Sequence, residues 1–427
     1  MNTRRMSRRQ ALRLAASAAA AGSLVARPAW LHAQAPAIRK KVKLTFWTWA
    51  DNPVHQKMSV DAVDLFNKAQ NFITVEVDAT SSVVELRNKI VVAFAAGSAA
   101  DLGGTQQYWV QDYYDSGILH PVDEFFNKWR EKTDYTPYAV DAMRSKPGQP
   151  ILYMPYSITV WILYYRADWF QEAKLNPPVT YDEFLAAAKK LSKPPERYGY
   201  ALRGGDYAGV NVIEPVWASA GVKFVDENGN VDFESPEAIA VTEKWIAMFT
   251  KDKSAPPTAV SDRYSQNFAL MEGGKGAMWI YGTHGHPQLD VALGSRIQVT
   301  ATPRVKDKAY MLANPEGLMM LSSCKEKEAA WEFLVHMSSG QPARMFTQGR
   351  GGVPVRKSIA AEPIFQQNRF FKLALASASS WWMPPHFHKH WADYRDKIAP
   401  YFQQALRQEI SAKDFHVQAA KVLRGEA

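Results

Sequence analysis

The chain has 427 residues, 47% of them hydrophobic and 22% charged, a globular composition that excludes disorder as a class. Its formal charge of +9 is concentrated at the start: residues 1–35 hold six arginines and no acid, leaving 45 basic against 42 acidic residues beyond them. So small an excess, with no basic run interleaved with aromatics, gives no reason for a nucleic-acid partner, and no apolar stretch is long enough to span a bilayer.

Residues 1–35 read as an export signal. Arg4, Arg5, Arg8, Arg9 and Arg13 form a basic head, an alanine-rich stretch runs from Leu14 to Ala26, and Ala33-Gln34-Ala35 is a small-x-small cleavage site. Ser7-Arg8-Arg9-Gln10-Ala11-Leu12-Arg13 resembles the twin-arginine motif, which passes folded proteins to the twin-arginine export machinery; a plain secretory signal is the alternative. No cysteine stands at the cleavage point to carry a lipid, so a chain free in the periplasm and cleaved after Ala35 is expected. About 390 mature residues exceed one ordinary core and point to two domains. The single cysteine, Cys324, has no internal partner. Burial as a small apolar residue is one reading, a reactive thiol the other.

Strands and helices then alternate. Val42, Leu44 and Phe46 alternate with Lys43, Thr45 and Trp47, the period of a strand. Met58, Ala62, Leu65, Phe66 and Ala69 recur at helical spacing, and Ile73, Val75 and Val77 alternate again. A second helix carries Val83, Leu86, Ile90, Val91 and Phe94 and ends at Gly97. This order predicts βαβ units and a parallel sheet, in which ligands bind beyond the carboxyl ends of the strands. The rule selects Trp49, Asp51 and Asn52 after the first strand, and Gln106 and Gln107 after a short strand near Leu102.

Thr180 and Glu183 form a capping box that opens a helix to about Leu191. Phe224-Val225 and Val231-Phe233 flank a turn and read as a hairpin. Ser235-Pro236-Glu237 opens a helix with Ile239, Thr242, Trp245, Ile246 and Phe249 on its apolar face. Another helix ends at Gly273-Gly274, and Ala277-Met278-Trp279-Ile280 reads as a buried strand. Ala330, Phe333, Leu334 and Met337 mark one more helix, stopped by Gly340 and Pro342. Trp47, Trp245 and Trp331 fit strand or helix faces as core.

In this order the segments resemble the family 1 extracellular solute-binding proteins, the sugar-binding components of bacterial importers, over nearly the whole mature chain. The resemblance is carried by Phe46-Trp47, Asp64-Leu65-Phe66-Asn67-Lys68, Tyr153-Met154-Pro155-Tyr156 with Leu163-Tyr164-Tyr165-Arg166, and the run from Phe268 to Met278. Glu328 to Leu334 and Gly349 to Arg356 complete it. It implies an α/β, two-lobed periplasmic-binding-protein fold of type II, with discontinuous lobes around a cleft and hinge. The lobes would be residues 36–155 with 303–340, and 156–302 with 341–427. It implies a substrate-binding component of an ABC importer that takes a sugar, sugar acid or polyol and delivers it to permease subunits in the inner membrane. A monomer without cofactor is expected.

A sugar offers C–H faces to aromatic rings and a rim of hydroxyls to carboxylates, amides and arginines. Besides the loops already named, such groups stand at Tyr156 and Thr159, at Arg203 and Asp206 around Gly204-Gly205, and at Trp217 before Gly221. They stand also at His284, Asn314, Glu316, Arg350, and Trp381-Trp382 before Pro384-Pro385. Trp217 and Trp382, beside glycine or proline turns, are expected at the cleft, with core packing as the alternative. Asp51 reads equally as a helix cap. Many relatives carry Trp where this chain has His284; with Arg203 and Arg350 it admits an acidic or phosphorylated sugar, unless the arginines are ion-paired scaffolding.

A secreted carbohydrate-active enzyme is the alternative function. No G-x-S-x-G, H-E-x-x-H or Walker loop is present, but two carboxylates suffice for a glycosidase. The alternation of His386, His388 and His390, and of His284 and His286, raises a metal site; with no cysteine nearby, none is expected.

Overall fold

A computed structural model describes residues 40–427, apart from 51–52, 147 and 227–228. The twin-arginine motif, the cleavage site, Asp51 and Asn52 therefore lie outside the described residues.

The first 70 described residues follow the predicted alternation. Strand β1 (Val42–Trp49) buries Val42, Leu44 and Phe46 and exposes Lys43. Helix α1 (Pro53–Ala69) buries Met58, Ala62, Val63 and Phe66, and β2 (Ile73–Ser81) pairs parallel with β1. Helix α2 (Val83–Ala95) begins at a Ser82–Glu85 capping box and is followed by Gly97 at φ +69°, a left-handed end that favours glycine. Strand β3 (Leu102–Gln106) joins the other side of β1, also parallel, and runs directly into helix α3 (Gln107–Asp115). Trp47 departs from the core reading: it is half-buried beneath the Lys89 ammonium, 4.0 Å from its ring.

Two long strands link the lobes. A short β4 (Leu119–His120) precedes β5 (Met154–Arg166), 13 residues and almost wholly buried. Next come helix α4 (Tyr181–Leu191), capped by Thr180 and Glu183 as the spacing predicts, and β6 (Tyr198–Tyr200). Helix α5 (Glu214–Ala220) leads to the hairpin of β7 (Phe224–Val225) and β8 (Val231–Asp232), and Ser235 caps α6 (Pro236–Thr250). Strand β9 (Gly276–Gly282) and β10 (Ile297–Thr300) pair antiparallel with the carboxyl half of β5. The second long strand, β11 (Met311–Leu321), pairs antiparallel with β3 at one end and with the amino half of β5. One sheet thus runs β2-β1-β3-β11-β5-β9-β6 through both lobes of a mixed α/β fold.

The ladder between β5 and β11 is irregular where the lobes meet. Glu316 pairs with Ser157 but Gly317 with Pro155, which leaves Tyr156 as an extra residue in β5. Such a bulge bends its strand and re-aims side chains. Pro155 has no N–H to give the ladder, and a Cβ on Gly317 would come within 2.4 Å of the Met154 carbonyl oxygen, so both residues suit the interruption.

Helix α7 (Lys327–Met337) sets Phe333 edge-on to Phe46 and Phe66 in the first-lobe core. The chain does not stop there. Gly340 opens helix α8 (Gly340–Gly349), with Pro342 in its first turn, where a missing N–H costs nothing. Its far end lies on α1, with Met58 against Gly349. Strand β12 (Val353–Pro354) returns to β5, β13 (Trp381–Trp382) pairs with β11, and helix α9 (Trp391–Leu406) precedes the last helix, α10 (Ala412–Arg424). Cys324 is buried, its thiol pushed up to about 12 by burial.

Candidate functional site

The carboxyl end of β3 carries the first group of site residues. Gln106 donates from Nε2 to Glu316 Oε1 at 3.3 Å, across the β3–β11 ladder. Arg350, just past α8, places Nε 4.0 Å from Glu316 Oε2, and its Nη2 donates to the Trp49 carbonyl at 3.0 Å. The guanidinium also lies 4.3 Å from the Trp49 ring. Trp49, Gln106, Glu316 and Arg350, distant in sequence, are thus one cluster. The arginine in it is ion-paired, which favours the scaffolding reading.

The strand crossing carries a second group. Tyr156 is buried at the bulge against Phe346, 4.6 Å between ring centroids. Thr159 and Asn314 face each other in the β5–β11 ladder, both buried. Gly351 adopts φ +61°, and a Cβ there would come within 2.7 Å of His284 Cα, so the glycine loop after Arg350 lies directly on the loop after β9. His284 shares a 2.6 Å hydrogen bond with the Tyr281 hydroxyl and meets Trp161 edge-on.

Other predicted residues fall elsewhere. Trp217 is not at the cleft: it is fully buried in α5, its Nε1 donates to Thr242 Oγ1 at 2.9 Å, and Phe233 and His416 meet it edge-on. The glycine turn beside it closes over a core that α10 completes. Trp381 is likewise buried, donating to the Ala374 carbonyl and packing on Tyr138. Trp382 stays half-buried beside Phe224 and Tyr310. Arg203 and Asp206 pair with each other at 2.5 Å, leaving Asp206 Oδ1 without a hydrogen bond. Gln107 is buried with its Oε1 unbonded.

A further cluster, around Arg395, is one that sequence reasoning missed. Tyr108 and Trp109 occupy the first turn of α3, immediately after the predicted Gln106 and Gln107. Arg395, on α9 of the second lobe, lies 4.3 Å from both of their rings and 4.8 Å from the ring of Tyr207. The Tyr207 hydroxyl bonds the Glu214 carboxyl, 3.1 and 3.2 Å from its two oxygens. Glu214 is fully buried at the start of α5, and burial pushes its pKa up to about 8 against the opposing pull of Tyr207 and Arg395. Burial likewise raises the Tyr108 hydroxyl, which has no hydrogen-bond partner. Extending the strand-end rule by two residues would have reached Tyr108 and Trp109. Nothing in the sequence distinguishes Arg395 from the solvated face of its helix.

Chemically the arrangement suits recognition: aromatic faces, amide and carboxyl groups and guanidinium edges are brought together from both lobes. Among the described residues, no group of three or more His, Cys, Asp or Glu is placed to hold a metal. His386 is buried with its pKa pushed down to about 4, and its Nδ1 approaches the Pro384 carbonyl at 3.1 Å. No helix among the described residues is long and apolar enough to cross a membrane.

Comparison with known proteins gives the family and the fold. The model of a family described as bacterial extracellular solute-binding protein matches residues 51–341. A binding protein of Brucella abortus is 27% identical over 293 residues, covering 66% of this chain and 69% of that one. The mannitol-binding protein of Pseudomonas aeruginosa is 26% identical over 238 residues, covering 52% and 54% respectively. In fold, the chain is similar to an ABC transporter solute-binding protein of Thermotoga lettingae solved with α-D-tagatose: TM-score 0.79, 21% identity, 90% of this chain and 100% of that one.

Proposed function

The chain belongs to the bacterial extracellular solute-binding proteins, and from that premise we propose that it captures a sugar or polyol between its lobes for an ABC importer. The observation that carries the reading is the junction at Arg395, where one second-lobe side chain rests on two first-lobe aromatic rings. A ligand held there touches both lobes at once, and so stabilises a closed state by a hinge motion. The mannitol-binding relative supports a small polyhydroxylated ligand. The ligand-facing residues are proposed to be Trp49, Gln106, Thr159, Asn314 and Glu316, together with Tyr108, Trp109 and Arg395. Asp51 and Asn52 remain proposed from the sequence alone.

The first lobe is proposed to comprise residues 36–155 and 303 to about 356, and the second the remainder. The last crossing is drawn near Arg356 rather than Gly340, because α8 packs on α1 and Arg356 pairs with Glu131 and Asp134. The protein is proposed to act as a monomer in the periplasm, exported by the twin-arginine route, cleaved after Ala35 and performing no chemistry on its ligand. A thermal-shift screen over sugars, sugar acids and polyols, followed by solution scattering with the best binder, tests this. A rise in melting temperature with a smaller radius of gyration is expected. Breakdown of an oligosaccharide by the purified protein would instead favour the enzyme alternative.

A further inference from the structure

The charges of the junction do not balance from within. Arg203 is paired with Asp206, and Arg350 with Glu316 and the Trp49 carbonyl. Arg395 differs. Among the described residues its buried Nε and Nη1 find no hydrogen-bond partner, and no carboxylate oxygen comes within ion-pair distance. Tyr108, Trp109 and Tyr207 lie against the guanidinium. Ring faces soften the loss of water but give no acceptor to N–H edges. A guanidinium keeps its charge in proteins, and this one is partly buried with no carboxylate of its own at contact distance.

The neighbouring acids do not fill the gap. Glu214 is engaged by the Tyr207 hydroxyl and makes no ion pair with Arg395 among the described residues, and burial pushes its pKa up to about 8. Asp112 is paired with Arg87 at 3.4 Å. The missing counter-charge is therefore left to whatever enters the cleft.

We propose that Arg395 is a specificity-determining residue that selects a ligand bearing an anionic oxygen group, a carboxylate or a phosphate, on its polyol or sugar frame. The inference rests on the solute-binding reading above and narrows it. The planar N–H edges of a guanidinium match the paired oxygens of such a group and would form charge-assisted hydrogen bonds with it. A hydroxyl also accepts a hydrogen bond from them but brings no charge.

Matched pairs of probes test this: gluconate against sorbitol, galacturonate against galactose, and glycerol 3-phosphate against glycerol, each titrated into the full mature protein by calorimetry. At least one acid is expected to bind, at least tenfold tighter than its neutral counterpart. The sugar-acid and phosphate arms tell which anion is read. Arg395→Gln is expected to abolish the preference and Arg395→Lys to keep part of it. The wild-type pairs decide the matter even should the variants fail to fold. Equal or tighter binding of the neutral members, or a preference that survives in Arg395→Gln, overturns this inference alone. Binding of no acid, sugar or polyol across these probes and the broader screen overturns it together with the function proposed above.

Discussion

The guanidinium of Arg395, in the second lobe, lies 4.3 Å from the ring of Tyr108, in the first. Trp109 is the same distance from it and also lies beside Arg87. On the proposed hinge, these contacts form as the lobes close and contribute to closure. Trp109→Ala should weaken ligand binding by about 1 kcal/mol, roughly fivefold, while the ligand-free melting temperature changes little. Titration and melting of the same variant separate the effects. A large fall in ligand-free stability would place Trp109 in the first-lobe core instead.

Trp217→Ala should behave in the opposite way. The ring is fully buried among Phe224, Phe233, Phe415 and His416, and its N–H bonds Thr242. Its removal leaves a cavity in the core, at a cost of about 3–5 kcal/mol. Denaturant unfolding measures this directly. A variant with native stability and lowered affinity would return Trp217 to the cleft.

Glu214 makes stability fall as pH rises. Its pKa is near 8 in the folded protein and near 4.5 when exposed, so between those values the native state holds a proton that the unfolded chain has lost. The contribution is complete below about pH 4.5, declines through the window and is gone above about 8. Glu332, pushed up to about 7 by burial, acts with the same sign. Glu214→Gln should flatten the dependence of melting temperature on pH across this range and leave the share of Glu332. An unchanged slope would mean that Glu214 ionises normally in the fold.

The proposed twin-arginine route rests on Arg8 and Arg9, which lie outside the described residues. Replacing Arg8 and Arg9 with lysine should leave an unprocessed precursor in the cytoplasm, visible by fractionation and mass. Normal processing in the periplasm would assign export to the secretory route or to Arg4-Arg5.

Much of the fold was legible because its signals are local. The capping box of Thr180 and Glu183, the Ser235-Pro236 start and the alternation of Val42, Leu44 and Phe46 each determine an element from neighbours in sequence. Gly340 and Pro342 mark where the helix that ends at Met337 stops, as the sequence predicts, but they do not say that another helix begins there. A general rule of parallel sheets selected Trp49 and Gln106 at the ends of β1 and β3, and the structure sets Gln106 against Glu316 and Trp49 beneath Arg350. What α10 would cover was not legible, so Trp217 was read at the rim although Phe415 and His416 bury it.

By itself, then, the sequence determined the order and type of many of the elements and the family. Only the tertiary structure decided which charges are neutralised. Arg203, Arg350 and Arg395 look alike as residues, yet two find carboxylates and the third finds aromatic rings. Helical and strand periods specify which way a side chain faces along its own element. Pairing between charges depends on distances of a few ångströms between elements far apart in the chain, and those are set only when the lobes pack.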